Sequence, residues 1–286
     1  MTTTATNSFV FRAAGAFDRL EHRWTSHATT RRLANSLVIV FLVELLLIEL
    51  NRRGWLPAAI DPYVKSTNHF YAVNLAFSLL LVYEVVELVF SMTHSVAAAV
   101  GKQFEILSLI LLRSSFKEFT YFEQPIDWGK VDVAMRHILA DAGGAILIFL
   151  ALGVYYRLLR HQKITSTDDE QTRFVATKKL LALGMLAIYA GVGATVFWQW
   201  MRTGEPRPFF QTFYTVLIFA DFLLVFISMR YRGGFHVLFR NSAFALGTVV
   251  IRVALSAPIY YKVGLGLASM VFILATTWAY NRFKAS

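Results

Sequence analysis

The chain contains no cysteine, and charged side chains make up only 16% of its 286 residues. The absence of cysteine excludes disulfide bonds, thiolate metal sites and cysteine nucleophiles. A typical soluble domain is about one quarter charged, so this scarcity of charge argues against an ordinary soluble fold. The catalytic and nucleotide-binding motifs G-x-x-x-x-G-K-[ST], H-E-x-x-H and G-x-S-x-G are also absent, and the sequence therefore predicts no catalytic residue and no metal site.

Hydrophobic residues, which make up 56% of the chain, gather in long runs separated by short basic or Gly/Pro-containing joints. Such runs are typical of transmembrane helices, which need roughly 17–25 residues to cross a bilayer. The pattern predicts an all-α polytopic membrane protein with about eight transmembrane helices. The predicted spans are residues 34–50, 70–92, 97–115, 133–156, 179–201, 209–229, 238–258 and 262–281.

The net charge of +10 comes mostly from basic residues at the ends of these spans, including Lys178 and Lys262. With eight crossings and a cytoplasmic N-terminus, the cytoplasmic segments hold about twice as many basic residues as the outer ones. The bias disappears if residues 97–115 do not cross, so the positive-inside rule favours eight spans. We expect a bacterial inner-membrane protein with both termini in the cytoplasm, whose partner is the lipid bilayer and not nucleic acid.

The predicted spans divide the chain into four segments. Residues 1–33 form a cytoplasmic N-terminal segment, and residues 34–160 form a first bundle of four membrane helices. A cytoplasmic loop, residues 161–178, leads to a second four-helix bundle at residues 179–286. Within the first segment, aromatic and basic residues between Phe9 and Trp24 predict a short amphipathic helix on the membrane surface, with a solvated tail as the alternative.

Charged residues inside the predicted second and third spans are the main functional signal. Glu84, Glu87 and His94 share one helical face, and Lys102 and Glu105 begin the next span at a similar depth. Ionisable groups inside a bilayer are costly and are retained when they are paired, hydrated or used. One interpretation is a salt-bridge cluster that docks the two spans. The other is a proton or cation relay with Glu84 and Glu87 as carriers and His94 at its cytoplasmic mouth.

Further charged residues lie within other predicted spans. Glu44 stands in the middle of the first span and needs a partner, for which Arg113 in the third span is the most available cation. Asp221 and Arg252 lie inside two consecutive spans and predict a structural ion pair. Alternatively, Arg252 binds an anion or provides a fixed charge beside a conduction path.

The start of the fourth span carries polar residues at helical spacing. In each of two pairs the members lie four residues apart: Asp132 with Arg136, and His137 with Asp141. Such spacing predicts contacts within one helix near the outer interface. The following Gly143 and Gly144 predict close approach of another helix.

Three classes of function are compatible with these features. The leading hypothesis is passage of protons or a monovalent cation through the acid-rich face of the first three spans. The second is a non-catalytic subunit or scaffold within a larger membrane complex. A homo-oligomer is the alternative assembly and would count against this second hypothesis. The third is a membrane protein that uses quinone, haem or a lipid headgroup. Because the histidines show no recurring paired spacing across the spans, we expect no haem and no other cofactor.

Overall fold

The computed structural model of the chain describes residues 2–56, 68–93, 96–122, 127–129, 131–159, 168–203, 209–229 and 235–283. These residues are almost entirely helical and contain no strand. A short 3-10 turn, Glu118–Tyr121, follows the fourth helix. The α-helices are α1 (Thr2–Trp24), α2 (His27–Arg52), α3 (Tyr71–Ser91), α4 (Val96–Lys117), α5 (Asp132–Leu158), α6 (Asp168–Thr203), α7 (Phe209–Met229), α8 (Phe235–Ser256) and α9 (Ile259–Phe283).

Six of the described helices are long and apolar enough to cross a membrane: α2, α3, α5, α6, α8 and α9. Helix α7 contains a shorter apolar stretch, Thr212–Ile227. The fold is therefore that of an all-helical membrane protein, whereas eight crossings and a four-plus-four arrangement are not confirmed. Helix α4 falls outside the group of six, and its apolar sequence is interrupted by Lys102, Glu105 and Arg113.

Helix α4 nevertheless lies at the centre of the packing. It contacts α3, α5, α8 and α9. Phe104, Leu107 and Leu111 point into this core and are fully buried. Among the charges of α4, Arg113 is the most enclosed, with a side chain 18% exposed, whereas those of Lys102 and Glu105 are 35% and 36% exposed. Contacts of α4 with α8, and of α5 with α9, also join the two halves of the chain.

Local signals in the sequence set both ends of α2. The Ser26 side chain accepts a hydrogen bond from the backbone N–H of Thr29, which satisfies one of the unpaired donors of the first turn. At the other end Gly54 adopts a φ of +68°, a conformation that costs glycine little, and Trp55 N–H bonds to Leu50 O at 3.0 Å. Helix α2 therefore starts seven residues before the predicted span at residue 34.

Helix α1 packs on the bundle through aromatic side chains. Phe17 is fully buried with its ring 5.3 Å from that of Phe90 on α3. Trp24 stacks on Tyr83 at 5.2 Å. These contacts contradict the alternative of a solvated tail, because a fully buried phenylalanine anchors the helix to α3.

Charged residues supplement this docking of α1. Asp18 pairs with Lys179 on α6 at 2.6 Å. Burial and the nearby Asp18 carboxylate raise the pKa of Glu21, while Lys179 acts in the opposite direction. The predicted amphipathic helix is thus present and lies against α3 and α6.

A glycine brings α5 and α9 together. A Cβ atom added to Gly144 would lie 2.6 Å from Cγ1 of Val263 on α9, whereas one added to Gly143 would meet nothing within 4 Å. At the neighbouring crossing of α8 and α9, the Ser269 hydroxyl donates to the carbonyl of Gly247 at 2.8 Å. Small residues let membrane helices approach closely, and Gly144 does so here.

We expect Gly144→Ala to destabilise the protein by about 1–3 kcal/mol, because Val263 is β-branched and has little freedom to move away. The adjacent Gly143→Ala is the matched control and should be neutral or stabilising by about 0.5–1 kcal/mol, since alanine favours a helix. Thermal unfolding of the two variants in detergent measures the difference. Equal effects would contradict the close packing of Gly144.

Candidate functional site

A network of charged side chains links α3, α4 and α5. Lys102 Nζ lies 2.8 Å from a carboxylate oxygen of Glu87 and 3.2 Å from one of Glu105. The hydroxyl of Tyr156 donates to Glu105 at 2.6 Å. The side chains of Glu87, Lys102 and Glu105 are 27–36% exposed, so this network lies at the edge of the bundle. Of the predicted cluster, His94 lies outside the described residues.

The second ion pair between these helices is more deeply buried. Arg113 contacts the Glu84 carboxylate, with side-chain exposures of 18% and 6%. The expected pairing of Arg113 with Glu44 is therefore wrong, because Glu84 on the adjoining helix α3 takes the guanidinium. Glu44 is half-buried on α2 and forms no ion pair with any residue that the structure describes. We refer to Glu84 and Arg113 as the α3–α4 pair.

Asp221 and Arg252 form the ion pair between α7 and α8 that the sequence predicts. Their closest atoms, Oδ2 and Nη1, lie 2.6 Å apart, and the side chain of Arg252 has no exposure. The Thr248 hydroxyl donates to the same Asp221 oxygen at 2.8 Å, and Arg252 also donates to the carbonyl of Leu217. Nε and Nη2 of Arg252 have no hydrogen-bond partner among the described residues. We refer to Asp221 and Arg252 as the α7–α8 pair.

Three aromatic residues lie near these two buried pairs, and we refer to Tyr189, Phe213 and Tyr214 as the aromatic layer. Tyr189 interacts electrostatically with both members of the α7–α8 pair, and Tyr214 with Glu84 of the α3–α4 pair. The ring of Phe213 lies 4.0 Å from that of Tyr189 and 5.9 Å from that of Tyr214. Both tyrosines are buried in the core, so a hydroxyl-bearing side chain lies within electrostatic range of each pair.

A cavity inside the bundle reaches the α7–α8 pair. It offers about 50 Å³ of room for the centres of water molecules, and one water needs roughly 10–15 Å³, so a few waters fit. Its apolar wall includes Phe174 and Phe244. Its polar wall consists of buried side chains from α4, α6, α7 and α8: Gln103, Lys178, Asp221, Asn241 and Thr248.

Two polar groups of the cavity were not found from the sequence. Oε1 of Gln103 is buried and has no hydrogen-bond partner among the described residues. Lys178 is only 5% exposed, and its ammonium donates to the carbonyl of Met92 at 3.4 Å. The helical pattern could have located Lys178, since it lies midway between the buried Phe174 and Ala182, four residues from each.

A third buried pair connects α5 with α9. Lys262 Nζ lies 3.0 Å from Asp141 Oδ2 and donates to the Ser114 hydroxyl at 2.8 Å. The predicted contact of His137 with Asp141 does not form, because His137 lies 2.9 Å from Glu118 instead. We refer to Asp141 and Lys262 as the α5–α9 pair. The predicted Asp132–Arg136 contact is present at 2.7 Å near the start of α5.

Similarity to other proteins gives no guide to the chemistry of these groups. No protein-family model, no curated protein and no solved structure matches this chain. Functional arguments therefore rest on the three buried pairs and on the cavity that reaches one of them.

The two carboxylates of α3 should differ strongly in their effect on stability. Glu84→Gln leaves Arg113 buried without a counter-charge, so we expect a loss of about 3–5 kcal/mol. Glu87→Gln removes a partly exposed carboxylate while Lys102 retains Glu105, so we expect a loss below about 1 kcal/mol. Chemical unfolding of both variants in detergent measures the two losses of stability. Similar losses would show that the exposure of an ion pair does not determine how much it stabilises the protein.

Proposed function

We propose that this membrane protein carries protons or monovalent cations through its helix bundle, and that Asp221 is the carboxylate that they reach from the cavity. The observation that carries the proposal is the position of Asp221, which belongs to a buried ion pair and also lines the cavity. Carboxylates that meet water inside a membrane protein commonly mark ion or proton pathways.

The surroundings of the three buried pairs support this choice of residue. The lining of the cavity includes Asp221 but no member of the α3–α4 pair or the α5–α9 pair. A carboxylate can exchange a proton or bind a cation only where the ion can reach it, so the α7–α8 pair is the best candidate.

The cavity lies towards the end of the bundle where α1 packs. Its wall includes Met92 just after α3, Gln103 in the second turn of α4 and Lys178 near the start of α6. The predicted topology places this end on the cytoplasmic side of an inner membrane, with both termini. We therefore propose that ions enter from the cytoplasmic side, pass Asp221 and continue through the aromatic layer towards Glu84.

This route revises the roles proposed for the acids of α3. We propose Glu84 as a second station on the path, because its charge acts on Tyr214 of the aromatic layer. Glu87, Lys102 and Glu105 hold α3 and α4 together at the edge of the bundle.

Asp221→Asn should abolish ion flux in liposomes that contain the purified protein, because the amide can neither bind a proton nor attract a cation at neutral pH. Asp141→Asn is the matched control: it also leaves a buried cation without its carboxylate, at a position away from the cavity. We expect the control to retain at least about half of the flux, with a comparable loss of stability of about 3–5 kcal/mol.

Folding is checked by circular dichroism and gel filtration for both variants. Should Asp221→Asn not fold, Thr248→Val removes one hydrogen bond to the carboxylate while the ion pair remains. That variant should alter the flux several-fold. Unchanged flux in a folded Asp221→Asn protein, or equal losses in the two asparagine variants, would contradict the assigned role.

A second candidate function, a subunit of a larger membrane assembly, is favoured by the exposure of α2. Only 6% of the apolar window of α2 is buried, and α3 is its main neighbour in the bundle. Its half-buried Glu44 forms no ion pair with a described residue. Five exposed apolar residues lie along the helix: Val38, Ile39, Leu42, Val43 and Leu46.

The absence of native cysteine allows a direct test of this assembly. Under oxidising conditions in membranes, Leu42→Cys on α2 should form a disulfide-linked dimer if α2 lies against α2 of a second copy. Phe149→Cys on the exposed face of α5 is the control and should remain monomeric. Equal cross-linking at both positions would reflect random collision and would argue against a specific assembly through α2.

A further inference from the structure

We infer that the carried ion is the proton, which Asp221 receives from water held in the cavity by Gln103, and that Na⁺ and K⁺ are excluded. This inference rests on the proposed function and narrows it to one ion. Three observations support it: the charges around the cavity, the hydrogen bonds that three oxygen atoms of its wall already accept, and the unpartnered oxygen of Gln103.

Positive charge surrounds the one carboxylate of the described cavity wall. Lys178 lines the cavity together with Asp221, and Arg252 lies directly behind Asp221. Arg240 is buried on the same helix as Arg252, where its Nη2 donates to Oδ1 of Asn241 at 3.2 Å. Charges interact strongly in a low-dielectric interior, so these neighbours disfavour a cation that keeps its own charge beside Asp221, whereas a proton that joins the carboxylate becomes part of a neutral carboxyl group.

Three oxygen atoms of the cavity wall already accept hydrogen bonds, whereas Oε1 of Gln103 does not. Asp221 Oδ2 accepts from both Thr248 and Arg252. Asn241 Oδ1 accepts from Arg240, and the carbonyl of Met92 accepts from Lys178. A dehydrated alkali cation needs a ring of oxygen ligands in place of its water shell, whereas a proton needs one acceptor and a neighbouring water. The wall therefore suits a proton.

Gln103 provides the open acceptor that a water molecule requires. Its side chain is 4% exposed, and Oε1 has no hydrogen-bond partner among the described residues although it belongs to a cavity-lining residue. Buried acceptors without a protein partner are usually satisfied by ordered water. A water that donates to Gln103 has its second hydrogen available for a chain of waters towards Asp221.

The proton transfer is balanced within the cavity. A hydronium ion in the water chain gives its proton to the Asp221 carboxylate, which yields a neutral carboxyl group and one water. Arg252 keeps its charge and its hydrogen bond to the carbonyl of Leu217. When the carboxyl group loses its proton to the next acceptor, the ion pair forms again. Tyr189, which interacts with both members of the pair, is the nearest described hydroxyl of the aromatic layer.

Ion selectivity is measured with the full-length protein in liposomes at equal driving forces for H⁺, Na⁺ and K⁺. A pH-sensitive dye reports proton entry, and isotope uptake reports the two metal cations. We expect proton flux above that of empty liposomes and no excess flux of Na⁺ or K⁺. Metal-cation flux comparable to the proton flux would overturn the inference and leave the proposed function standing. Absence of flux for all three ions would contradict the proposed function itself.

Gln103→Leu tests the role of the cavity water. We expect proton flux to fall by about tenfold, the scale of one lost hydrogen bond along the route. Thermal stability should change little, because no hydrogen bond to a described protein group is lost at Oε1. A purely structural role would instead couple the loss of flux to a loss of stability. Gln103→Glu retains an acceptor and should restore much of the flux.

Ser108→Ala is the control on the same helix. Ser108 is similarly buried, but its hydroxyl donates to the α4 backbone and does not line the cavity. This variant should keep the flux of the original protein. Full proton flux in Gln103→Leu, or an equal loss in Ser108→Ala, would overturn the assignment of Gln103.

Discussion

The low polarity of a membrane-spanning bundle makes a buried charge costly unless it pairs with an opposite charge or a polar group. Three deeply buried interhelical ion pairs follow this constraint in the described residues: the α3–α4, α7–α8 and α5–α9 pairs. Each pair fixes the axial position of one helix against its neighbour, because a shift of one turn would leave both charges unpaired. Apolar packing alone would specify these positions less sharply, since many registers bury similar hydrocarbon surface.

This constraint explains why α4, whose apolar sequence is interrupted by charges, lies at the centre. Lys102, Glu105 and Arg113 would be costly if α4 faced lipid on several sides, and contacts with α3, α5, α8 and α9 limit that exposure. The peripheral α2 shows the opposite arrangement, with exposed apolar side chains along its membrane-spanning part. The charges within the apolar stretch thus account for the central place of α4, which its hydropathy alone would not predict.

The sequence predicted one of the three buried pairs and missed the partners in the other two for different reasons. Asp221 and Arg252 were paired correctly because α7 and α8 are neighbours in sequence. Arg113 was assigned to Glu44 because depth alone cannot identify which helix lies beside α4. The partner of Asp141 is Lys262, which is more than a hundred residues away and resembled an ordinary basic residue at a span end. The cavity was not predictable, since it depends on four helices meeting.

Two ion pairs of similar chemistry can have different functions because one of them contacts water and the other does not line that space. Asp141 and Asp221 are both buried carboxylates paired with a cation on another helix. Asp141 does not line the cavity that reaches Asp221. Asp221 borders a space that holds a few waters. Water in this space lowers the free energy needed to separate Asp221 from Arg252. It also supplies the proton that takes the place of Arg252 at the carboxylate. The cavity can therefore turn a structural ion pair into a site of proton exchange.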